Sequence, residues 1–468
     1  MSKKVKSAAE ASGGFTGKLG YVIATAASAI GLGNIWRFPY LCAKYGGGIF
    51  LLVYLILVAT FGYTMIVSET MIGRMTKKSP IGAFRDLTRR KGDTKGNKFF
   101  AGLGGWINAI VPFLICPYYC VIGGWITKYL VEYVRNSTHA MANTNYFSSF
   151  TSHTAQPEIY FIIYTVLTLA VILIGVQKGV ERVSKIMMPA LLVLAVVVSV
   201  YSCTRPGAVS GLKYLFIPNF HRFSMMTVVS ALGQMFYSLS IAMGILITYG
   251  SYTDDSMDVE KSTTQIEIFD TMIAILAGLM IIPAIFAFSG GDPKILSSGP
   301  SLMFVTLPKV FDSMGLGMAA GIVFFLLVLF AALTSSISIA ETCVATLQDE
   351  FHWNRTKSTL IFSIYMVAIG TCCVLGYSAW SWFTIGGMQI LDFFDFITNS
   401  VLMPFGALMS CILVFHFVTV KSMDEEIELC SQFKRKKLYN FNVKYLCPIG
   451  LVIIFVSSVL NATGVVSI

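Results

Sequence analysis

Long apolar runs, interrupted by short polar stretches, fill this chain from end to end. A helix that crosses a bilayer needs about 20 predominantly apolar residues. Eleven runs of that kind predict spans over residues 16–43, 48–73, 99–130, 158–176, 184–203, 223–249, 267–289, 317–348, 357–378, 391–418 and 442–465. The strands of a membrane barrel would alternate apolar and polar positions in short segments, and these runs do not alternate. The predicted fold class is therefore an all-α polytopic membrane protein. At 468 residues, length alone would allow about three soluble domains. Composition excludes them: 55% of residues are hydrophobic and 12% charged, where a soluble domain carries about 25% charged residues. The same composition excludes disorder, collagen and coiled coil.

Charge orients the predicted helices. The chain carries a formal net charge of +10, with its basic residues in loops between apolar runs. The loop after span two holds Arg74, Lys77, Lys78, Arg85, Arg89, Arg90, Lys91, Lys95 and Lys98; residues 419–444 add Lys421, Lys434, Arg435, Lys436, Lys437 and Lys444. Basic loops stay in the cytoplasm, so the N-terminus is expected inside and, with an odd number of spans, the C-terminus outside, in a multi-pass protein of the cell membrane. The expected segments are a cytoplasmic stretch 1–15, spans one to five over 16–203, an outward loop 204–222, spans six to ten over 223–418, a cytoplasmic loop 419–441, and span eleven with a short outward tail over 442–468. Basic residues used in this way give no reason to expect nucleic acid. The ten cysteines are scattered without metal-like spacing and read as small core residues. No cleaved signal peptide is expected, because Met1–Gly14 is polar and the first apolar run is too long. The loop 290–316, rich in Gly, Pro and Ser, is long enough to fold back as a lid. Asn136-Ser137-Thr138 is a glycosylation sequon in an outward loop.

Four spans hold residues that a lipid-facing helix would avoid. Span one carries Ala27-Ser28-Ala29-Ile30-Gly31-Leu32-Gly33-Asn34, then Arg37 and Pro39. Glycines weaken a helix, and one broken here would free main-chain groups at membrane depth, which is tolerated only where they line a cavity. Freed carbonyls suit a cation and a half-helix N-terminus suits a carboxylate; the same small residues also suit close helix packing. Span six repeats the pattern from Gly233-Gln234 through Tyr237-Ser238-Leu239-Ser240 to Met243-Gly244. Two interrupted helices at corresponding places in two halves point to a transporter's binding site. Span seven contributes Asp270 and span eight Thr334-Ser335-Ser336. A carboxylate inside a membrane is costly and marks function by default, and oxygen ligands of this kind suit a hard cation. The histidines (His139, His153, His221, His352 and His416) fall mostly in loops or at span ends, so no metal centre or enzyme is expected.

Gly31-Leu32-Gly33-Asn34-Ile35-Trp36-Arg37-Phe38-Pro39, Gly46-Gly47-Gly48, Thr248-Tyr249-Gly250-Ser251-Tyr252 and Leu333-Thr334-Ser335-Ser336 resemble motifs of the neurotransmitter:sodium symporters, in particular the eleven-span bacterial branch. The resemblance covers about Phe15 to Phe417. It implies the leucine-transporter-like fold, a 5+5 inverted repeat with helices one and six broken, and sodium-coupled symport of a neutral hydrophobic or aromatic L-amino acid by alternating access. A same-fold carrier with other ion coupling, or a transporter-like sensor, is the alternative. Two sodium sites are implied: Ala29, Asn34, Ser238 and Asp270 with the substrate's carboxylate, and Ala27, Ile30, Ala331, Thr334 and Ser335. The substrate pocket carries over as Ala29, Leu32, Gly33, Ile115, Tyr119, Tyr237, Ser238, Ser240, Met243, Ser335 and Ile339. Arg37 and Asp395 would form an outer gate, with Asp392 a rival partner, and Asp349 the acidic half of an inner gate. Ser12 and Phe15 stand where the family has arginine and tryptophan, and Lys3 to Lys6 offer substitute charges. Glu69 matches a glutamate that supports the broken first helix. Tyr54, Gln234 and Ser238 match surroundings of the chloride site of animal members, and Asp270 beside them implies chloride-independent transport.

Overall fold

The computed structural model describes residues 14–290 and 301–462. Ser12, Lys3 to Lys6, Lys294 and the end of the expected eleventh span lie outside the described residues. Among the described residues, nine helices are long and apolar enough to cross a membrane: Gly48–Thr76, Lys95–Val134, Ala155–Ile174, Val176–Cys203, Val259–Ser289, Gly317–Phe351, Arg355–Tyr377, Ile390–Val418 and Lys436–Ser457. The first expected span is a bent pair, Lys18–Ala29 and Gly33–Lys44, that turns by 50° at the break. The sixth is also two pieces, Met225–Ser238 and Ile245–Ser251, with residues 239–244 in turns. Neither piece could cross alone.

The expected boundary between spans four and five is displaced. A single residue, Gly175 at φ 105°, separates the helices, so the fifth span begins at Val176 rather than at 184. Burial sorts the helices into layers. The apolar windows of Gly48–Thr76, Val259–Ser289 and Gly317–Phe351 are 61%, 61% and 67% buried, against 39% for spans four, five and nine and 28% for Lys436–Ser457. The second group presents Ile159, Ile163, Val166, Val193, Val197 and Ile364 outward, as side chains that meet lipid do. The broken helices lie inside this ring.

The loop 290–316 folds back over the part described. Leu302–Thr306 and Leu307–Asp312 are helical, Tyr129 donates a hydrogen bond to the Phe304 carbonyl at 2.8 Å, and the Phe304 ring stacks on Phe147 at 5.0 Å. On another part of the surface Pro80–Arg89 forms a short amphipathic helix between spans two and three, its apolar side buried through Ile81, Phe84 and Leu87.

Candidate functional site

The two breaks face each other. The first half of span one ends when the Ile30 N–H reaches the Ala26 carbonyl at 2.9 Å. In its last turn the Ser28 carbonyl accepts hydrogen bonds from Ser335 at 3.0 Å and Ser240 at 3.4 Å, so spans one, six and eight meet at one oxygen. In span six Ser240 and Ala242 take positive φ, 55° and 60°, a conformation that costs a residue with a side chain. Glu69 offsets that cost, accepting the Ala242 N–H at 3.0 Å from its fully buried carboxylate. The glutamate expected to support the broken first helix thus holds the broken sixth.

Asp270 sits behind the breaks and is completely buried. Its carboxylate accepts from Asn34 Nδ2 at 2.8 Å, Ser238 Oγ at 2.7 Å and the Tyr54 hydroxyl at 3.0 Å. Asn34 Nδ2 also reaches Ser238 Oγ at 2.8 Å, and Gln234 Nε2 donates to the Gly33 carbonyl at 2.9 Å. Asn34, Ser238 and Asp270, separated by more than 200 residues from first to last, therefore form one cluster; Ala29 lines the cavity that Asn34 also borders. All three donors to Asp270 are neutral, and among the described residues no Lys or Arg pairs with it. A buried carboxylate without a counter-charge is strongly disfavoured, and here three neutral donors are all that the described residues set against it.

The second set of expected oxygens is only partly tied together. Ser335 Oγ reaches the Ile30 carbonyl at 3.3 Å as well as Ser28. Thr334 bonds back along its own helix, to Phe330 at 3.0 Å and Ala331 at 3.1 Å. Ala27 and Ala331 are buried beside them. Ser28, absent from the expected set, is the carbonyl that Ser335 holds at the shorter distance.

Between the breaks lies a narrow cavity of about 20 Å³, room for about one water. Ala29, Leu32, Gly33, Ile115, Tyr119, Tyr237, Ser240, Met243, Ser335 and Ile339 line it, with Ser28, Gly31 and Asn34 in addition. Ser238, expected in this lining, faces Asp270 instead. No ionised side chain lines the cavity. Tyr119 accepts the Leu32 N–H at 3.3 Å and its hydroxyl also bonds the Ser335 side chain. Gly31 and Gly33 are required by close approach. A Cβ at 31 would lie 2.7 Å from Ser335 Oγ, and one at 33 would lie 2.4 Å from the Tyr237 ring.

Arg37 stands against the Tyr237 ring, one wall of this cavity. Its guanidinium lies 5.1 Å from the centre of the Tyr237 ring and forms no ion pair with Asp395 among the described residues. Asp395 accepts from Asn399 at 2.7 Å, and Asp392 from the Tyr377 hydroxyl at 2.9 Å. At the opposite end Asp349 accepts the Ser79 N–H at 2.7 Å, at the start of the helix Pro80–Arg89. Phe15 packs edge-on against Tyr21, Tyr249 and Tyr252. Sequence reasoning missed Glu181. This buried carboxylate at the start of span five accepts from the Thr16 N–H at 2.9 Å, the Thr16 hydroxyl, and Lys185 at 2.5 Å. The only sequence signal was an acidic residue at a span end.

Comparison with known proteins gives one answer over nearly the whole chain. The sodium:neurotransmitter symporter family description matches residues 12–153 and 131–466. The chain is similar to a Bacillus subtilis protein named uncharacterized sodium-dependent transporter YhdH, 33% identical over 455 residues, 96% of this chain and 97% of the relative. The human sodium- and chloride-dependent GABA transporter 2 is 25% identical over 519 residues, 99% of this chain and 82% of the relative. Among solved structures, MhsT in complex with L-phenylalanine superposes with a TM-score of 0.84 at 34% identity, covering 95% of this chain and 99% of that one.

Proposed function

The chain belongs to the sodium:neurotransmitter symporter family, and from sodium-coupled transport as the starting point we propose that it imports a neutral hydrophobic or aromatic L-amino acid without needing chloride. Its fold is the leucine-transporter-like arrangement, an inverted repeat in which helices one and six are broken. The observation that carries the proposal is the cavity between those breaks, bordered by Gly31, Gly33 and the hydroxyls of Tyr119, Ser240 and Ser335 and walled by Leu32, Ile115, Tyr237, Met243 and Ile339.

Tyr119 would donate to the substrate's carboxylate and the carbonyls at the breaks would accept from its ammonium. A side chain with a full charge would have no partner, because no ionised group lines the cavity. The solved neighbour holds L-phenylalanine, an amino acid of the class these walls suit. Admitting such a side chain to so narrow a cavity requires Tyr237 and Met243 to move outward.

Sodium would be held at two places, by Ala29, Asn34, Ser238 and Asp270, and by Ala27, Ile30, Ala331, Thr334 and Ser335. Each charge that crosses 100 mV yields about 2.3 kcal/mol, so two sodium ions would supply about 4–5 kcal/mol before their concentration gradient is counted. Asp270 supplies a fixed negative charge where chloride would otherwise be needed. The basic loops support a cytoplasmic N-terminus and an outward C-terminus.

The test is uptake of labelled phenylalanine, tryptophan, leucine and tyrosine into proteoliposomes, with an inward sodium gradient against potassium and with chloride replaced by gluconate. Sodium-dependent, chloride-indifferent accumulation is expected. Failure to accumulate any of the four would overturn the substrate assignment, and loss of uptake in gluconate would overturn the role of Asp270.

A further inference from the structure

A second cavity lies away from the broken helices. It measures about 210 Å³ and sits between the short helix Pro80–Arg89 and the first turns of Lys95–Val134. Arg85, Arg89, Lys98 and Asp93 line it, and Trp106 stands at its edge. Two of the three cations are already neutralised. Arg85 pairs with Glu350 at 2.7 Å and Lys98 with Asp93 at 2.9 Å. Arg89 has no ion-pair partner among the described residues, so the cavity keeps a surplus of one positive charge. The surrounding segment 77–98 is strongly basic, with eight Lys or Arg against Asp86 and Asp93.

An apolar stripe leads out of this cavity. Phe99, Trp106 and Ile110 are 72%, 45% and 41% exposed, and their spacing of seven and four residues places them on one face of the helix. An exposed face of that kind in a membrane helix meets lipid, and a tryptophan beside a basic cluster marks the headgroup level. The cavity therefore opens where a headgroup lies, with acyl chains free to follow the stripe.

We propose that this cavity binds the headgroup of an anionic phospholipid, its phosphate diester against Arg89. The single negative charge of a phosphate diester matches the single unpaired guanidinium, and arginine presents the donors that phosphate oxygens accept. A soluble phosphate would gain the charge but not the stripe. The proposal does not depend on which amino acid is transported.

The experiment is native mass spectrometry of the full chain released from bilayers of phosphatidylglycerol or phosphatidylcholine. The wild type is expected to retain one more phosphatidylglycerol than phosphatidylcholine, and retention should fall as salt rises from about 0.1 M to about 0.5 M. Arg89→Gln should lower retention about tenfold, the loss of one charge-assisted phosphate contact. Arg90→Gln removes the same charge one residue away, outside the cavity lining, and should change retention less than about twofold. Equal losses in the two variants would mean diffuse surface attraction and overturn the site. Equal retention of the two lipids by the wild type would do the same, and needs no variant to fold. Displacement of the lipid by glycerol phosphate would reassign the cavity to a soluble anion.

Discussion

Glu181→Gln tests whether the start of the first helix is latched. Alternating access requires the inner half of that helix to leave its neighbours. Here its entry, Thr16, is tied to span five by two hydrogen bonds to one carboxylate, which Lys185 joins. Glutamine keeps the size and one acceptor oxygen but removes the charge. A hydrogen bond to a charged group contributes about 1.5–3 kcal/mol and a neutral one about 0.5–1.5, so each Thr16 bond should weaken by about 1 kcal/mol. The Lys185 side chain is 40% exposed, and such a pair adds little. The total, about 2 kcal/mol, is about thirtyfold in the equilibrium between closed and open inner sides. Hydrogen exchange over Lys18–Ala29, measured on the whole protein with and without sodium, reads that equilibrium directly. Exchange in the variant should rise by up to about thirtyfold, and Thr16→Val should reproduce part of the rise by losing one of the two bonds. A Glu181→Gln protein with an unchanged Tm and unchanged exchange in this segment would refute the latch.

Asp270→Asn keeps an oxygen for Asn34 and Ser238 but removes the charge, so sodium-dependent binding should come to require chloride; a variant equally active in gluconate would contradict that. Gly33→Ala places a methyl group 2.4 Å from the Tyr237 ring. Overpacking of that kind destabilises by about 1–3 kcal/mol, so Tm should fall by several degrees unless the Tyr237 ring shifts and amino-acid affinity changes instead; a variant with Tm and affinity both unchanged would remove Tyr237 from contact with Gly33. Arg355 holds the buried Glu341 through both guanidinium ends and bonds the Ile172 carbonyl at 2.7 Å. Arg355→Ala leaves that carboxylate without its cation and should destabilise the protein by about 3–5 kcal/mol, read as a lowered Tm; Arg355→Lys should recover little of it, because lysine lacks the planar fork.

The spans were legible because a bilayer demands an apolar run of fixed length, and the chain writes those runs without alternation. The break in span one was legible through Gly31 and Gly33. The break in span six was legible through its polar crowding and Gly244, which takes φ 68° where the second piece starts, but Ser240 and Ala242, which also carry positive φ, gave no sign of doing so. Glu69 and Ala242 depend on packing between spans two and six, so the identity of the helix that Glu69 holds could not be read from either neighbourhood. Span five starts early because Gly175 turns the chain in a single residue, where hydropathy suggested a loop. Glu181 and Thr16 lie 165 residues apart; nothing local in either segment requires the other. The cavity around Arg89 stayed hidden for a different reason. Its cations were plain in the sequence, but which of them are paired is decided by Glu350 on a distant helix.

The cavity between the breaks is bordered by main chain at Ser28, Gly31 and Gly33 and by side chains from the surrounding spans. Peptide carbonyls and amides are the same whatever residue bears them, so point mutations cannot readily delete them, whereas the Tyr119 hydroxyl is open to a single substitution. Ile115, Met243 and Ile339 can each be exchanged without disturbing those groups. Such a division lets a lineage change the size and shape of what it accepts in single steps, each intermediate still able to grip the invariant portion. Selectivity in this architecture can therefore drift while the main-chain part of the grip stays fixed.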